Sequence, residues 1–464
     1  MLGLTGRRTA LARSKCLLST SLPARSLAPS TRNFHSTPAN ATRPTWMPMR
    51  VKTPWIDALT ASREAKKAVQ RGEPTELTGP PDLTPKKMSD SYYSAVLSLA
   101  QDKWLCDEYL NSSGHIRLGS LLMDLDAMAG IIALRHSGDQ VTNVTAAVDR
   151  ITIENPLMEI CDLELSGQVT YATGRSSMEV SLQIAKARPE GEPTKPEDVL
   201  ITCAITMVSL DPITKHPAAI APLIVETAEE KRLFKKGEDN YNAKKALRKR
   251  SLLLQAPDDE ESSLIHSMWQ TEKLYHDPNV TDMVRPRTQR YTRTTALEST
   301  MIMQPQYRNR HNFMIFGGFL LKQSFELAFC CAANFSQTRP NFLALDPSTF
   351  ENPVPVGSVL YLRATIVFTE PEERDDDGDG ESTRYTKVQV RVDTRVKDVE
   401  HEHLKPAGCF NYTFLVEGDF TIMPKSYTEF MLWVESRRRA NNATAIDPLH
   451  KTRALRAIKD SVTE

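Results

Sequence analysis

The chain has 464 residues, 40% of them hydrophobic and 25% charged, with 58 Lys and Arg balancing 58 Asp and Glu. That length allows two or three domains, and the composition is ordinary for a soluble globular protein. Zero net charge gives no support for nucleic acid as the main partner. The 7 cysteines are scattered, with no Cys-x-x-Cys pair and no Cys/His cluster at zinc spacing, so they read as buried free thiols and no metal is expected.

Residues 1–40 read as a mitochondrial transit segment. No acidic residue precedes Asp57, whereas Arg7, Arg8, Arg13, Lys15, Arg25 and Arg32 lie among many Ser, Thr, Ala and Leu. The stretch Arg32-Asn-Phe34-His-Ser36 resembles a matrix-processing site cut after Phe34. Apolar runs here are too short for a secretory signal core or a membrane span. A matrix location is the expectation. Residues 41–84 are rich in Pro and charge and read as a linker arm with a short helical stretch around 55–70.

The first folded unit is expected over 85–211. A Gly-led apolar helix runs from about 119 to 136, carrying Leu121, Leu122, Leu125, Met128, Ala129, Ile132 and Ala133. Its apolar residues occupy more than one stripe, which predicts burial on most sides. Period-two alternation then marks strands at Val144–Ile153, Leu163–Tyr171, Ser177–Ile184 and Leu200–Ser209. Strands without intervening helices argue for an antiparallel sheet, and the combination is an α+β layout.

Residues 212–289 form a charged helical connector, helical from Val225 to Arg250, with a further start near Asp258. Its Lys244, Lys245, Arg248, Lys249 and Arg250 read as a solvated helix face. The second unit spans 290–417, with strands at Val359–Phe368, Thr386–Val392 and Phe410–Val416. The acidic run Asp375–Glu381 between the first two lacks EF-hand spacing and reads as a solvated hairpin insertion. The tail, 418–464, is expected to be helical, with Tyr427–Arg439 amphipathic.

The two units share a signature. Asp149-Arg-Ile-Thr-Ile-Glu154-Asn155-Pro156 recurs as Asp346-Pro-Ser-Thr-Phe-Glu351-Asn352-Pro353. Upstream of each lies a Gly-led apolar helix, from Gly119 in one copy and Gly318 in the other. So long a period is not a solenoid repeat; it predicts duplication of a whole domain, with a site where the copies meet.

Asp124 and Asp126 interrupt the first apolar helix. Their i,i+2 spacing sends them to different faces, so one is expected at solvent and one inward. An inward carboxylate at a domain interface has the form of a general base or a nucleophile. Gly-rich segments enter both helices, and their backbone N–H groups and helix dipole could polarise a carbonyl or hold a phosphate.

These residues resemble a known family. Asn-x-x-Gly-x-x-Phe-Gly-Gly followed by a helix with Met-Asp-Glu marks the hot dog acyl-coenzyme A thioesterases. Asn111, Gly114 and Gly119 fit that frame, with Leu118 in place of the first Gly of the pair, and Asp126 falls at the helix aspartate. In the second unit Phe316, Gly317 and Gly318 fit fully, Phe325 stands at the aspartate position and Glu326 at the Glu position. A one-residue insertion leaves the upstream Asn as Asn309 or Asn312. Gly174-Arg175-Ser176-Ser177 resembles the family's strand motif. Together with the basic leader, the set is similar to the mitochondrial type with two units.

The resemblance implies a double hot dog and a site pairing the Asp of one helix with the Asn of the other. Asp126 would act as base or nucleophile, Asn312 or Asn309 would orient water or carbonyl, and the N–H groups at Gly317 and Gly318 would stabilise the oxyanion. The opposite site, with Asn111 facing Phe325 and Glu326, would lack its aspartate. Gly119, Arg175, Ser177, Gly317, Glu326 and Asn111 are the implied substrate or coenzyme contacts, with Arg117 a further candidate for the coenzyme phosphates. The substrate would be an acyl-coenzyme A, with no added cofactor and with assembly into homo-oligomers, a trimer of double units by analogy. A non-catalytic acyl-coenzyme A binder is the alternative. A hydratase of this fold is a weaker one, because the His expected five residues after the Asp is Ile131 or Ala129.

Overall fold

The computed structural model describes residues 55–71 and 81–446, apart from positions 156–158, 190, 191, 193, 213, 250, 251, 253, 281, 282, 310–313, 373–383, 401 and 402. The basic leader, the acidic run Asp375–Glu381 and Asn312 lie outside the described residues.

Helix α1 spans Trp55–Gln70. Strand β1 is Tyr93–Leu97, α2 Lys103–Tyr109, and the first central helix, α3, Leu118–Ser137. Then follow β2 Thr142–Val148, β3 Ile151–Ile153, β4 Leu163–Ala172, β5 Ser177–Lys186 and β6 Val199–Leu210. Two connector helices come next, α4 Ala228–Lys249 and α5 Asp259–Leu274. Asp258 caps α5 through a reciprocal pair with Glu261, which satisfies two otherwise unpaired N–H groups. The second half repeats the order: β7 Leu297–Ile302, the second central helix α6 Gly317–Ser336, β8 Asn341–Leu345, β9 Ser348–Phe350, β10 Val359–Glu372, β11 Tyr385–Lys397 and β12 Leu404–Glu417. Helix α7, Tyr427–Ile446, closes the described chain.

These strands form one 12-stranded sheet in the order β7-β10-β11-β12-β8-β3-β6-β5-β4-β1, with β2 and β9 joining β6, β12 and each other. Its pairings are antiparallel. Both central helices lie against it. On α3, Leu122, Met128, Ala129, Ile132 and Ala133 are fully buried, and on α6 so are Ala328 and Ala332, with Cys331 and Phe335 nearly so. Each large apolar side chain removed from water contributes about 1.5–3 kcal/mol, so the wrapped helices anchor the core.

The recurring octamer forms the seam between the halves. Val148 pairs with Ser348, Ala147 with Thr349, Ile151 with Leu345 and Thr152 with Ala344. Each residue meets the counterpart of its partner's equivalent, as a local two-fold axis requires. Arg150 Nη1 reaches Asp346 Oδ1 across the seam at 3.1 Å, with Asp346 nearly buried. Within each copy the same bonds recur. Asp149 N and Asp346 N donate to Ala204 O and Asn411 O, both at 2.9 Å. Asn155 Nδ2 and Asn352 Nδ2 donate to Val199 O and Pro406 O, at 2.7 and 2.8 Å. The octamer therefore recurs because it holds the junction, which is a structural demand rather than a catalytic one.

The sequence reading of the connector needs a correction. Lys244 is not on a solvated face. Its ammonium lies 2.9 Å from Asp149 Oδ1, 3.7 Å from Glu179 Oε2 and 2.7 Å from Thr206 Oγ1, pinning α4 to the outer face of the sheet. Phe234 and Gly237 of the same helix pack on Tyr171. Burial, with Asp149 nearby, pushes the Glu179 carboxyl up to about 7, and burial raises Asp149 as well. Raised carboxyl values mean that this cluster favours folding least above neutrality, where both acids are charged and Lys244, helped by Lys236 and the Asn240 amide, opposes their repulsion. Lys244→Met should therefore cost about 2 kcal/mol at pH 8 and distinctly less at pH 5.5, where Glu179 is protonated. Urea unfolding at the two pH values checks this; an equal cost at both contradicts it.

Candidate active site

Helix α3 carries Asp126 to the contact with the entry of α6. The carboxylate is 4% exposed, and both oxygens are engaged. Oδ2 accepts the backbone N–H of Gly318 at 2.6 Å, and Oδ1 accepts the hydroxyl of Thr145 on β2 at 2.7 Å. Bonds from neutral donors to a buried carboxylate are among the stronger ones and fix its orientation. Gly318 is the second residue of α6, so its N–H belongs to the unpaired first turn and points along the positive end of the helix dipole.

Closeness requires glycine at 318 and leaves a side chain little room at 317. A Cβ at Gly318 would lie 2.6 Å from Phe316 Cε2, 2.7 Å from Met123 O and 3.0 Å from Asp126 Cβ. One at Gly317 would lie 3.2 Å from Asp126 Oδ2, Phe350 Cζ and Thr145 Cβ alike. Gly317 and Gly318 thus let the two central helices touch at Asp126.

The opposite crossing has different chemistry. A Cβ at Gly119 would lie 3.1 Å from Glu326 Oε1 and 3.3 Å from Phe325 Cδ1. Phe325 is packed among Phe342, Tyr412 and Phe414. Glu326 accepts from Arg117 Nε at 2.7 Å, a half-exposed pair across the halves worth at most about 1 kcal/mol. An aromatic ring and an ion pair stand where the first crossing holds a buried carboxylate. Arg117, read as a phosphate contact, spends its charge on Glu326.

The loops entering the helices share a backbone pattern. Leu110 bridges to Ile116 and Arg308 to Ile315. Asn111 N donates to His115 O at 2.8 Å, and Asn309 N to Met314 O at 2.6 Å. Arg117 N then donates to Tyr109 O, and Phe316 N to Tyr307 O. Asn309 is therefore the backbone counterpart of Asn111, and the extra residue falls after it. The Asn111 side chain caps its own loop, accepting from Ser113 N at 2.9 Å and His115 N at 3.2 Å.

Two implied contacts lie at the start of β5 and in the turn before it. Arg175 is exposed in the turn between β4 and β5. Ser177 opens β5 and pairs with Val208, which pairs with Val144 beside Thr145. That places Ser177 two strands away from the strand of Thr145, about 10 Å.

The two-faced reading of the Asp pair is also corrected. Asp124 has no solvent: it is fully buried and accepts the hydroxyl of Tyr109 from α2. A helix wrapped by sheet on one side and by α2 and α6 on the others offers no wet face to either residue.

No protein-family model matches the chain. It is 32% identical to "Acyl-coenzyme A thioesterase 9, mitochondrial" of Homo sapiens over 377 residues, which cover 80% of this chain and 81% of that protein. The chain belongs to the acyl-coenzyme A thioesterase family. Further members are "Acyl-coenzyme A thioesterase 10, mitochondrial" of Mus musculus, 31% identical over 77% of this chain and 78% of that one, and "Acyl-coenzyme A thioesterase 2, chloroplastic" of Humulus lupulus, 31% identical over 75% and 77%.

Within this thioesterase, Thr145 is a residue of the candidate site that no sequence motif singled out. Its strand was legible, but only packing of β2 on α3 reveals that its hydroxyl meets Asp126. Thr145→Val keeps the shape and removes one donor to a buried carboxylate. We expect turnover to fall about 10- to 100-fold with the fold intact, because a mis-held Asp126 loses its aim. Steady-state kinetics alongside circular dichroism check it; unchanged turnover removes Thr145 from the site.

Proposed function

We propose that the chain hydrolyses acyl-coenzyme A thioesters to a free fatty acid and coenzyme A, at one site per chain, in mitochondria. The observation that carries this reading is the Asp126 carboxylate, buried at the contact of two helices and held by Gly318 N–H from one half and Thr145 from the other. We read the two halves as tandem hot dog units related by duplication, supported by the swapped pairings at the seam.

Asp126 takes a proton from water as it attacks the thioester carbonyl, or attacks that carbon itself with water resolving the anhydride. In either route a C–O bond forms, the C–S bond breaks, and the thiolate of coenzyme A leaves and takes up a proton. Gly318 N–H, expected from sequence to face the oxyanion, instead donates to Asp126. We assign the oxyanion to Gly317 N–H at the start of α6, where the helix dipole favours developing negative charge. Asn309 orients the water or the carbonyl. The reaction needs no group beyond water and these side chains.

Among the described residues the crossing at Phe325 and Glu326 holds no buried carboxylate, since Glu326 is half-exposed and paired with Arg117, which is the ground for one working site. Among the described residues no helix is long and apolar enough to cross a membrane. Strands β7 and β1 end the sheet, and paired edges of this kind support assembly into homo-oligomers. The basic leader supports import into the matrix.

The test is thiol release by residues 35–464 from acyl-coenzyme A of two to sixteen carbons. Saturable release with at least one chain length is the expected result. Saturable binding with no release at any length would overturn the reading.

A further inference from the structure

Helix α1, in the segment that the sequence presents as a linker, reaches the entry loop of α6. Arg308 Cζ lies 5.2 Å from the centroid of the Trp55 ring, and Arg308 is only 7% exposed. The same guanidinium donates Nη1 to Pro305 O at 3.1 Å. Arg308 is also the residue whose backbone closes the loop, bridging to Ile315, and it directly precedes Asn309. A cation over an indole face, shielded from water, is held more firmly than an exposed one. The counterpart of Arg308 in the first half is Leu110, which has no charge for an aromatic ring to hold. The clamp therefore exists only at the crossing that carries Asp126.

We propose that Trp55 is a positioning residue for the reaction: by capping Arg308 it holds the loop end that presents Asn309, making the N-terminal arm part of the site. This rests on the reading of Asn309 as a site residue. It follows that a mature chain beginning at residue 35 retains the clamp, while one beginning beyond Trp55 loses it.

The experiment compares Trp55→Ala, Trp55→Phe, Asn309→Ala and the Trp55→Ala/Asn309→Ala pair in residues 35–464. Amide hydrogen exchange at Asn309 and Phe316, kcat, KM and thermal midpoint are read for each, with a two- to sixteen-carbon acyl-coenzyme A series as substrate. Trp55→Ala should speed exchange at both amides and lower kcat about 3- to 10-fold, with KM and the midpoint little changed. Trp55→Phe should restore most of both, since a smaller aromatic face still holds the cation. In the Asn309→Ala background, Trp55→Ala should add nothing further, because the two act through one element. Unchanged exchange at both amides, or a kcat loss that persists undiminished without Asn309, overturns the proposal. If Asn309→Ala keeps full turnover, the role of Asn309 fails instead, and the exchange data alone decide whether the arm holds the loop.

Discussion

Gly318→Ala should unfold the contact on which the site depends. The new methyl would meet the Met123 carbonyl at 2.7 Å, and that carbonyl belongs to the backbone of the other central helix. A flexible side chain can step aside; a helix backbone cannot move without shifting its packed neighbours. We expect destabilisation of about 3 kcal/mol, toward the upper end for an overpacked core. The same displacement lengthens the 2.6 Å bond from Gly318 N to Asp126 Oδ2, so turnover should fall about 100-fold in whatever remains folded. Gly119→Ala is the internal control. There the closest atom is Glu326 Oε1 at 3.1 Å, the end of a side chain that can swing away, so the cost should stay under about 1 kcal/mol. Urea unfolding of the two variants measures the difference, and equal costs would mean that the two crossings are packed alike.

Asp126→Asn should leave the protein folded and abolish turnover. The amide can keep both present contacts: its oxygen accepts Gly318 N–H, and its NH2 donates to Thr145, whose hydroxyl can turn to accept. Stability should change little. The chemistry, in contrast, loses the group that we propose takes the proton or forms the acyl intermediate, the one buried carboxylate among the described residues at this contact. A loss of about 1,000-fold or more in kcat is the expected scale for removing such a group.

Much of this was legible in the sequence because it rests on local pattern. The apolar run around Asp126 demanded a buried helix, and alternation at Leu163–Tyr171 and Ser177–Ile184 demanded strands; β4 and β5 follow those spans within about two residues. The repeated octamer was visible as a repeat, but not as the seam, since pairing between Ile151 and Leu345 has no local signature. The two misreadings, Asp124 and Lys244, and the two omissions, Thr145 and Trp55, share one cause. Asp124, Thr145, Lys244 and Trp55 each take their role from a partner distant in sequence: Tyr109 packed from another helix, Asp126 facing a strand, two carboxylates on the sheet, and Arg308 in the other half. Spacing assigns a residue to a face; it does not tell what covers that face. Hence Lys244 read as solvated with its neighbours, although α4 lies over β4 and turns its ammonium onto Asp149 and Glu179, while Lys245 beside it is exposed.

The proposed active site is asymmetric: of two similar crossings of helix and glycine, the one holding Asp126 is expected to work and the other is not. The residual rate of purified Asp126→Asn measures this directly, as thiol release per chain relative to the unaltered protein under saturating acyl-coenzyme A. A single working site predicts residual turnover below about 1%, with the thermal midpoint unchanged. Retention of about half the rate would show that the crossing at Phe325 and Glu326 is also catalytic, and that the chain has two working sites.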